Sequence, residues 1–240
     1  MRIGIDIGGT KIDAVALDDD HSIVHRTRQI TRRGNEEIVD AIERVVAALR
    51  AEAPGSTVEQ VGIGIPGVID HDAGRVRHAV NLGVTDLPLT EILASRLGLP
   101  VVIDNDVNAA ALGAVRLLGL TEPTTYLNLG TGLAAGTVVN GRIWRGARGG
   151  AGEIGHIPTD SAGPLCPCGQ RGCLETMASG SALARLWPSA SLHPALDLFD
   201  SADAGDAHAL AARTVFVEAV ASAIRVLILA SDVETVVIGG

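Results

Sequence analysis

All three cysteines of this 240-residue chain lie in residues 166–173, which read CPCGQRGC and are called the cysteine knuckle below. His156 lies ten residues before the first of them. Three thiols cannot all pair within one chain as disulfides, whereas three thiolates and one imidazole are a typical ligand set for tetrahedral zinc. Three buried free thiols are the alternative, but they would predict neither the clustering nor the intervening glycines. We therefore expect zinc to be bound by His156, Cys166, Cys168 and Cys173.

Two glutamates flank the cysteine knuckle: Glu153 precedes it and Glu175 follows it. A zinc ion with four protein ligands has no open position for a substrate, so this zinc is expected to be structural. Folding the chain around such an ion would hold Glu153, His156 and Glu175 close together. The sequence therefore predicts a binding site built from the neighbours of the metal rather than from the metal itself.

The composition argues against several function classes. Hydrophobic residues make up 47% of the chain, which excludes a disordered protein, and 240 residues suffice for one large domain or two small ones. The net charge of −9 argues against binding to nucleic acids or to anionic membrane surfaces. The most apolar stretch, residues 219–230, contains Arg225 and is expected to be too short to span a bilayer. With no signal peptide before the first strand, a soluble cytoplasmic protein is expected.

The order of the predicted elements indicates an α/β fold. Residues 3–15 read as a strand, a glycine turn and a strand, and residues 126–143 repeat that plan, which suggests two related units facing across a cleft. Apolar residues at helical spacing predict a helix over 36–50, with Asn35 as its N-cap. Residues 187–205 read as a surface connection. Further helices are expected at 91–97, 106–118 and 207–231, and further strands at 61–65, 101–103 and 235–238.

Each strand–turn–strand unit carries a glycine-rich turn directly after an apolar strand. Glycine allows backbone N–H groups to converge on an anion, and threonine adds a hydroxyl donor. One such turn is usually only a hairpin, but two related turns are what a nucleotide polyphosphate would need. Asp6, at the end of the first strand, could hold Mg²⁺ through water or could merely cap the turn. The turns consist of Gly8, Gly9 and Thr10 in the first unit, and of Gly130, Thr131 and Gly132 in the second.

A cluster of polar residues separates a buried strand from an alanine-rich helix at residues 103–108, which read IDNDVN. Helix capping would explain Asp104 or Asn105 but hardly all four polar residues. The helix dipole stabilises the charged form of a carboxylate at a helix N-terminus. Such a group is suited to act as a general base that takes a proton from a sugar hydroxyl during phosphoryl transfer.

These elements together resemble the ROK family of bacterial sugar kinases and repressors. The resemblance implies an α/β fold of the actin-like ATPase (ribonuclease H-like) type, with two lobes around a central cleft that closes on ATP and a hexose. The lobes would span 1–107 and 108–240, and the second would lack the C-terminal end that is usual in the family. The resemblance runs in order from residue 3 to residue 240 and is carried by residues 6–11 (DIGGTK), 64–67 (GIPG), 105–110 (NDVNAA), 130–132 (GTG), 152–156 (GEIGH) and the cysteine knuckle.

The resemblance also implies roles for individual residues. Asp106 would be the catalytic base on the sugar 6-hydroxyl. His156 would use one ring nitrogen for zinc and the other for the sugar. The sugar would be bound by Gly67, Asn105, Asp106, Glu153, His156 and Glu175. ATP and Mg²⁺ would be bound by Asp6, Gly8, Gly9, Thr10, Lys11, Gly130, Thr131, Gly132, Gly239 and Gly240.

The expected function is therefore ATP-dependent phosphorylation of a hexose at its 6-hydroxyl, with glucose as the expected substrate. An N-acetylhexosamine kinase of the same family is an alternative, and so is a non-catalytic sugar-binding or repressor-type protein. A repressor would need an N-terminal DNA-binding domain, whereas this chain begins at the first strand. The expected partners are the hexose and ATP, with no nucleic acid and no membrane, and the expected assembly is a homodimer or a higher homo-oligomer.

Overall fold

The computed structural model describes all residues from 1 to 240. The chain divides into two compact units, Met1–Ala109 and Ala110–Gly240. The first unit contains two β-sheets and the second contains one, and each unit has its own buried core.

The first unit contains a five-stranded sheet in the order β3-β2-β1-β4-β8. β1 is antiparallel to β2 but parallel to β4, which is in turn parallel to β8. The carboxyl ends of the three parallel strands therefore lie at one edge of the sheet, where α/β folds place their ligands. The elements are β1 (Arg2–Ile7), β2 (Lys11–Leu17), β3 (Ile23–Ile30), α1 (Asn35–Glu52), β4 (Gln60–Ile65), β5 (Val68–Asp70), β6 (Arg75–Ala79), β7 (Val84–Leu87), α2 (Leu89–Leu97), β8 (Val101–Asn105) and α3 (Asp106–Leu118), whose later part belongs to the second unit.

The core of the first unit forms between the five-stranded sheet and α1. Alternate residues of β1 (Ile3, Ile5 and Ile7) are buried, because strand side chains alternate between the two faces of a sheet. The apolar stripe of α1 includes Ile42 and Leu49, both fully buried. These residues belong to one continuous cluster, which holds the edge with the parallel strand ends in place.

The start of α1 differs from the sequence prediction. The N-cap position is Gly34, with φ 119°, and not Asn35. The Asn35 side chain instead makes two hydrogen bonds to the backbone of Thr85 in β7: Nδ2 donates to the carbonyl oxygen over 3.0 Å, and Oδ1 accepts from the amide over 3.1 Å. The predicted N-cap is therefore wrong, because this side chain joins α1 to a strand that was not predicted.

The segment between β4 and α2 folds into a three-stranded antiparallel sheet, β5-β6-β7, that was not predicted from the sequence. Gly67 joins β4 to β5 with φ 109°. A Cβ atom at Gly67 would clash with the carbonyl oxygen of His78 in β6. Only glycine fits this turn, because the backbone has a left-handed conformation and lies directly against β6.

The second unit contains a four-stranded sheet in the order β11-β10-β9-β12. β9, β10 and β11 form an antiparallel meander like β1, β2 and β3, which confirms the predicted repeat of the strand–turn–strand plan. β12 is parallel to β9. The elements are β9 (Thr124–Leu129), β10 (Leu133–Val139), β11 (Arg142–Ile143), α4 (Gly180–Leu186), α5 (Pro194–Asp203), α6 (Ala207–Ser231) and β12 (Thr235–Gly239).

The segment predicted as a surface connection, residues 187–205, contains the helix α5, so that prediction is wrong. Pro194 begins the helix at a position where proline is tolerated, because the first helical N–H has no intrahelical partner. Leu198 is fully buried and Ala202 is 3% exposed, and both belong to a cluster with residues of α4 and α6. α5 therefore packs as a core element.

The helix α6 extends well beyond its most apolar stretch, residues 219–230. It has 25 residues, and its most apolar window of 18 residues has a mean hydropathy of 1.8, so by length and composition alone it could cross a membrane. Ala219, Ala223 and Leu227 are buried in one cluster with residues of the second sheet, whereas Leu229 is 78% exposed. The predicted bounds of the helix, 207–231, are confirmed, and one helix of this kind is weak evidence for a membrane protein.

Replacement of Leu198 tests the packing of α5. We expect Leu198→Ala to lower the free energy of unfolding by about 2–5 kcal/mol, because it removes a buried side chain and leaves a cavity. Leu196→Ala is the matched control on the same helix: Leu196 is 62% exposed, and its loss is expected to change stability by about 0.5 kcal/mol or less. Denaturant unfolding followed by circular dichroism measures both, and equal small effects would contradict the buried position of α5.

Candidate functional site

The start of α3 is organised by the polar residues that precede it. Asn105 Oδ1 accepts hydrogen bonds from the amides of Val107 (3.0 Å) and Asn108 (3.3 Å), so Asn105 caps the helix. Asp104 Oδ1 accepts from the Asn105 amide (2.8 Å) and from Asn108 Nδ2 (3.2 Å). Asn105 is thus the capping residue, one of the two alternatives left open by the sequence, and Asp104 holds it in place.

Asp106 is the first residue of α3 and is half-buried. One of its oxygens, Oδ1, accepts from the amide of Val107 over 3.0 Å. The end of β4 lies close beside it, because a Cβ at Gly64 would be 3.3 Å from the Asp106 Cα. A helix N-terminus stabilises negative charge, so the structure presents a carboxylate suited to accept a proton at the edge of the first sheet.

His71 also belongs to this group, although the sequence did not single it out. His71 Nδ1 lies 3.1 Å from the carbonyl oxygen of Ile103 and 3.8 Å from Asp104 Oδ2. Because a carbonyl can only accept, Nδ1 must carry the proton in this hydrogen bond. His71 lies in the turn between β5 and β6, and nothing in the sequence indicated that this turn meets the end of β8.

The first glycine turn connects β1 to β2. The Gly8 amide donates to the carbonyl oxygen of Lys11 over 2.8 Å, and Thr31 Oγ1 donates to the Gly8 carbonyl oxygen over 2.7 Å. Gly9 and Thr10 at the tip of the turn are exposed. The turn is therefore fixed at its base while its tip remains accessible to a ligand.

Asp6 and Lys11 border this turn and interact with Asp13. Asp6 and Asp13 are opposite each other in β1 and β2. Desolvation of the Asp6 carboxyl, with the charge of Asp13 as a second cause, raises the pKa of Asp6 above its ordinary value, while Lys11 partly opposes this change. Lys11 Nζ is 3.6 Å from Asp13 Oδ2, and its side chain is 55% exposed. Asp6 is thus a carboxylate whose charge a cation would stabilise.

The second glycine turn, Gly130 to Gly132, lies between β9 and β10 and is held from several sides. The Gly180 amide donates to the Gly130 carbonyl oxygen over 2.7 Å, and the Leu133 amide donates to Glu175 Oε2 over 2.9 Å. The end of β12 lies against the same turn, because a Cβ at Gly240 would be 2.8 Å from the Gly130 amide nitrogen. The structure therefore brings the second glycine turn together with Gly239 and Gly240, all of which were predicted to bind the nucleotide.

The cysteine knuckle and His156 form the one group of three or more His, Cys, Asp or Glu side chains close enough to share a metal ion. Their four ligand atoms lie within 4.8 Å of one another. The Cys168 and Cys173 sulfurs are 3.6 Å apart, and His156 Nδ1 is 3.6 Å from the Cys166 sulfur. Tetrahedral zinc with Zn–S bonds of about 2.3 Å separates two sulfur ligands by roughly 3.8 Å. The donor set and its spacing therefore fit zinc.

Backbone hydrogen bonds hold the knuckle in this shape. The Cys166 amide donates to the Gln170 carbonyl oxygen (2.8 Å), and the Gly169 amide donates to the Cys166 carbonyl oxygen (2.9 Å). Gly172 has φ 64°, and a Cβ there would clash with the carbonyl oxygen of Asp160. The glycines between the cysteines are thus required by the tight turns that bring the sulfurs together.

The thiols of the knuckle differ in their pKa values. A hydrogen bond from the backbone amide of Gln170 is the main cause that lowers the pKa of Cys168 to about 6. Burial is the main cause that raises the pKa of Cys173 to about 12. The exposed thiol thus ionises readily, whereas the buried one needs a nearby positive charge to do so.

Glu153, His156 and Glu175 were predicted to bind a sugar beside the knuckle. His156 and Glu175 belong to two short 3₁₀ turns, Ile154–His156 and Leu174–Thr176, and Glu153 directly precedes the first of these turns. Glu153 Oε2 is 3.9 Å from His156 Nε2, while Nδ1 of the same ring faces the knuckle. Glu153 is 60% exposed. Glu175 is half-buried and is bonded to Leu133, a contact that the sequence did not indicate.

Comparison with known proteins places these features in one family. The family model described as "ROK family" matches residues 2–240. The chain is 35% identical to the glucokinase of Halalkalibacterium halodurans, over 99% of this chain and 79% of that protein. It is 33% identical to the N-acetylmannosamine kinase of Yersinia pseudotuberculosis, over 99% of this chain and 82% of that protein.

A solved structure gives the same result for the fold. The ROK family glucokinase from Streptomyces griseus, in complex with glucose and AMPPNP, superposes with a TM-score of 0.82 at 35% identity, covering 100% of this chain and 82% of that one. The α/β fold of the actin-like ATPase type, expected from the resemblance, is thereby confirmed. On the family match over residues 2–240 and these relatives, the chain belongs to the ROK family.

Proposed function

We propose that this protein is an ATP-dependent hexose kinase that phosphorylates the 6-hydroxyl of its substrate, with glucose as that substrate. The observation that carries the proposal is the 35% identity, over 99% of this chain, to a glucokinase. The placement of a carboxylate at the N-terminus of α3 supports it, because phosphoryl transfer to an alcohol needs a group that accepts the hydroxyl proton.

Asp106 has the catalytic role in this proposal. Its carboxylate takes the proton of the sugar 6-hydroxyl as the oxygen attacks the γ-phosphorus, and ADP leaves with the electron pair of the broken P–O bond. Asp104 accepts a hydrogen bond from the Asn105 amide, and Asn105 accepts one from the Val107 amide, so the backbone on both sides of Asp106 is held. Asp106 thus starts from a fixed position, which favours proton transfer within hydrogen-bond reach.

In this proposal the sugar is bound by the residues that the sequence analysis assigned to it. Asn105 uses its oxygen for the helix cap, so its Nδ2, which is 3.4 Å from the Gly67 carbonyl oxygen, is the atom that would donate to a sugar hydroxyl. In the second unit the carboxylates of Glu153 and Glu175 accept from hydroxyls, and His156 Nε2 contributes from the ring nitrogen that faces away from the knuckle.

ATP and Mg²⁺ are bound by the two glycine turns and their neighbours. The exposed tip of the first turn and the fixed second turn supply backbone N–H groups for phosphate oxygens. Asp6 would hold Mg²⁺ through water. The first lobe, 1–107, would contribute Asp6, Gly8, Gly9, Thr10 and Lys11, and the second, 108–240, would contribute Gly130, Thr131, Gly132, Gly239 and Gly240.

Zinc is proposed as a structural ion of the knuckle, with His156, Cys166, Cys168 and Cys173 as its ligands. The spacing of their ligand atoms supports this assignment. When bound, the ion would supply folding free energy and fix the ring of His156 rather than take part in the reaction. His156 Nδ1 would face the ion, so that Nε2 would remain directed at the substrate.

An N-acetylmannosamine kinase is the second candidate function, and the 33% identity over 99% of this chain to such an enzyme favours it. Both candidates share the proposed chemistry and differ in the substituent at the sugar 2-position. For either candidate we place the reaction in the cytoplasm, where ATP is available and thiols stay reduced. We also propose a homodimer or higher homo-oligomer, supported by exposed apolar residues such as Leu229.

Replacement of Asp106 tests the proposed chemistry. We expect Asp106→Asn to lower kcat for glucose by about 10²–10⁴-fold, because the amide keeps the size of the side chain but cannot accept the proton. Glucose affinity should stay within roughly tenfold, since some hydrogen bonding remains. ADP release measures turnover, and calorimetry measures binding.

The matched control for this test is Asp19→Asn. The Asp19 carboxylate is 90% exposed and lies outside the proposed site, so wild-type kinetics are expected for this variant. An Asp106→Asn enzyme with a near-normal kcat would show that Asp106 is not the base.

Removal of a knuckle ligand tests the zinc site. We expect one zinc per chain by elemental analysis, and we expect Cys173→Ser to lose the metal together with most of the glucose affinity. Structural zinc contributes on the order of 10 kcal/mol to local folding, so its loss should disorder Glu153, His156 and Glu175 together. Ser161 is an exposed residue near the knuckle, and Ser161→Ala should retain both the zinc ion and the glucose affinity. A protein without metal that binds glucose normally would contradict the assignment.

A further inference from the structure

The carboxylate of Glu175 makes a contact that sugar binding does not explain. Its Oε2 accepts a hydrogen bond from the amide of Leu133 over 2.9 Å. Leu133 is the first residue of β10 and directly follows the glycine turn Gly130 to Gly132. A Cβ at Gly132 would clash with the same oxygen. One oxygen of Glu175 is therefore packed against the turn, and the Leu133 amide is not available to a phosphate group.

The backbone around Glu175 holds this carboxylate in place. The hydroxyl of Ser179, which is fully buried, donates to the Glu175 carbonyl oxygen over 2.8 Å. The neighbouring Gly180 amide donates to the Gly130 carbonyl oxygen over 2.7 Å. On the other side, a Cβ at Gly155 would clash with the Leu133 carbonyl oxygen. Both 3₁₀ turns next to the knuckle thus lie directly against the glycine turn or against Leu133, the residue that follows it.

Glu153 provides a contrast within the same group of acids. It is 60% exposed, and its Oε2 lies 3.9 Å from His156 Nε2. It makes none of the contacts to the glycine turn that Glu175 makes. Both glutamates were predicted to bind the sugar, but only Glu175 connects the residues next to the knuckle with the glycine turn.

We propose that Glu175 is a positioning residue for the phosphate-binding turn Gly130 to Gly132, in addition to any contact with the sugar. Oε2 fixes the turn through the Leu133 amide, and Cys173, two residues earlier, fixes Glu175 to the knuckle. Affinity for the phosphoryl donor then depends on this carboxylate even when no sugar is bound. The effect on the affinity for the phosphoryl donor rests on the proposed function, whereas the hydrogen bond between Glu175 and Leu133 does not.

The contact is tested by hydrogen exchange of the Leu133 amide in the intact protein without ligands. In Glu175→Ala the amide should exchange at least roughly tenfold faster, because it loses its acceptor. Glu175→Gln should restore near-wild-type exchange, since the side-chain amide oxygen can accept the same bond. Glu153→Gln is the matched control and should leave Leu133 exchange unchanged. Wild-type exchange at Leu133 in Glu175→Ala would overturn the proposal.

The positioning role is tested by the affinity for AMPPNP with Mg²⁺ in the absence of sugar. Glu175→Ala should weaken this affinity by roughly tenfold, or about 1.4 kcal/mol, while Glu175→Gln should stay within about twofold of wild type. Equal affinity for AMPPNP in the wild type, Glu175→Ala and Glu175→Gln would overturn the positioning role. Equal weakening in the two variants would also overturn it, because the charge of Glu175 and not its hydrogen bond would then be responsible.

The two experiments separate a failure of the proposed function from a failure of the positioning role. If the wild-type protein binds no AMPPNP, the proposed donor site and the effect on the donor are both wrong. The exchange rates of Leu133 would then still decide, independently of any activity, whether Glu175 holds the turn.

Discussion

The second unit depends on the convergence of three sulfur atoms and one imidazole nitrogen within 4.8 Å. The segment that brings them together contains neither helix nor long strand, and Leu165 within it is 64% exposed. Such a segment buries too little apolar surface to offset the conformational entropy that is lost when it is ordered. The proposed zinc ion, bound by all four atoms, would offset this loss, because its binding free energy would become folding free energy.

The consequences of this arrangement extend from the knuckle to the second sheet. In residues 152–156 (GEIGH), Gly152 and Gly155 lie so close to the Ala135 and Leu133 carbonyl oxygens of β10 that a Cβ at either position would clash. Ile154 between them is buried. Glu153 and His156 are the residues left to point outward. The motif is therefore explained by packing: the two glycines allow the close approach of β10, and the buried isoleucine anchors the turn.

The elements with regular periodicity could be predicted from the sequence, since strands such as β1 and β10 and helices such as α3 follow from local patterns. The failures have longer-range causes. α5 was missed because proline, serine and aspartate around Leu198 resemble a loop, and its burial depends on α4 and α6. The cap at Asn35 was wrong because Thr85 binds its side chain from 50 positions away. The contact of Glu175 with Leu133, across 42 positions, could not be predicted, because no local pattern encodes it.

The central claim, a kinase that acts on glucose, is tested most directly by ADP release with a panel of sugars: glucose, mannose, N-acetylglucosamine, N-acetylmannosamine and fructose. The ratio kcat/KM is the quantity to compare, because it measures discrimination in the transition state. We expect turnover with the highest kcat/KM for glucose. A higher value for N-acetylmannosamine would replace glucose as the substrate while leaving the chemistry in place. The absence of sugar-dependent ADP release for all five sugars would contradict the account.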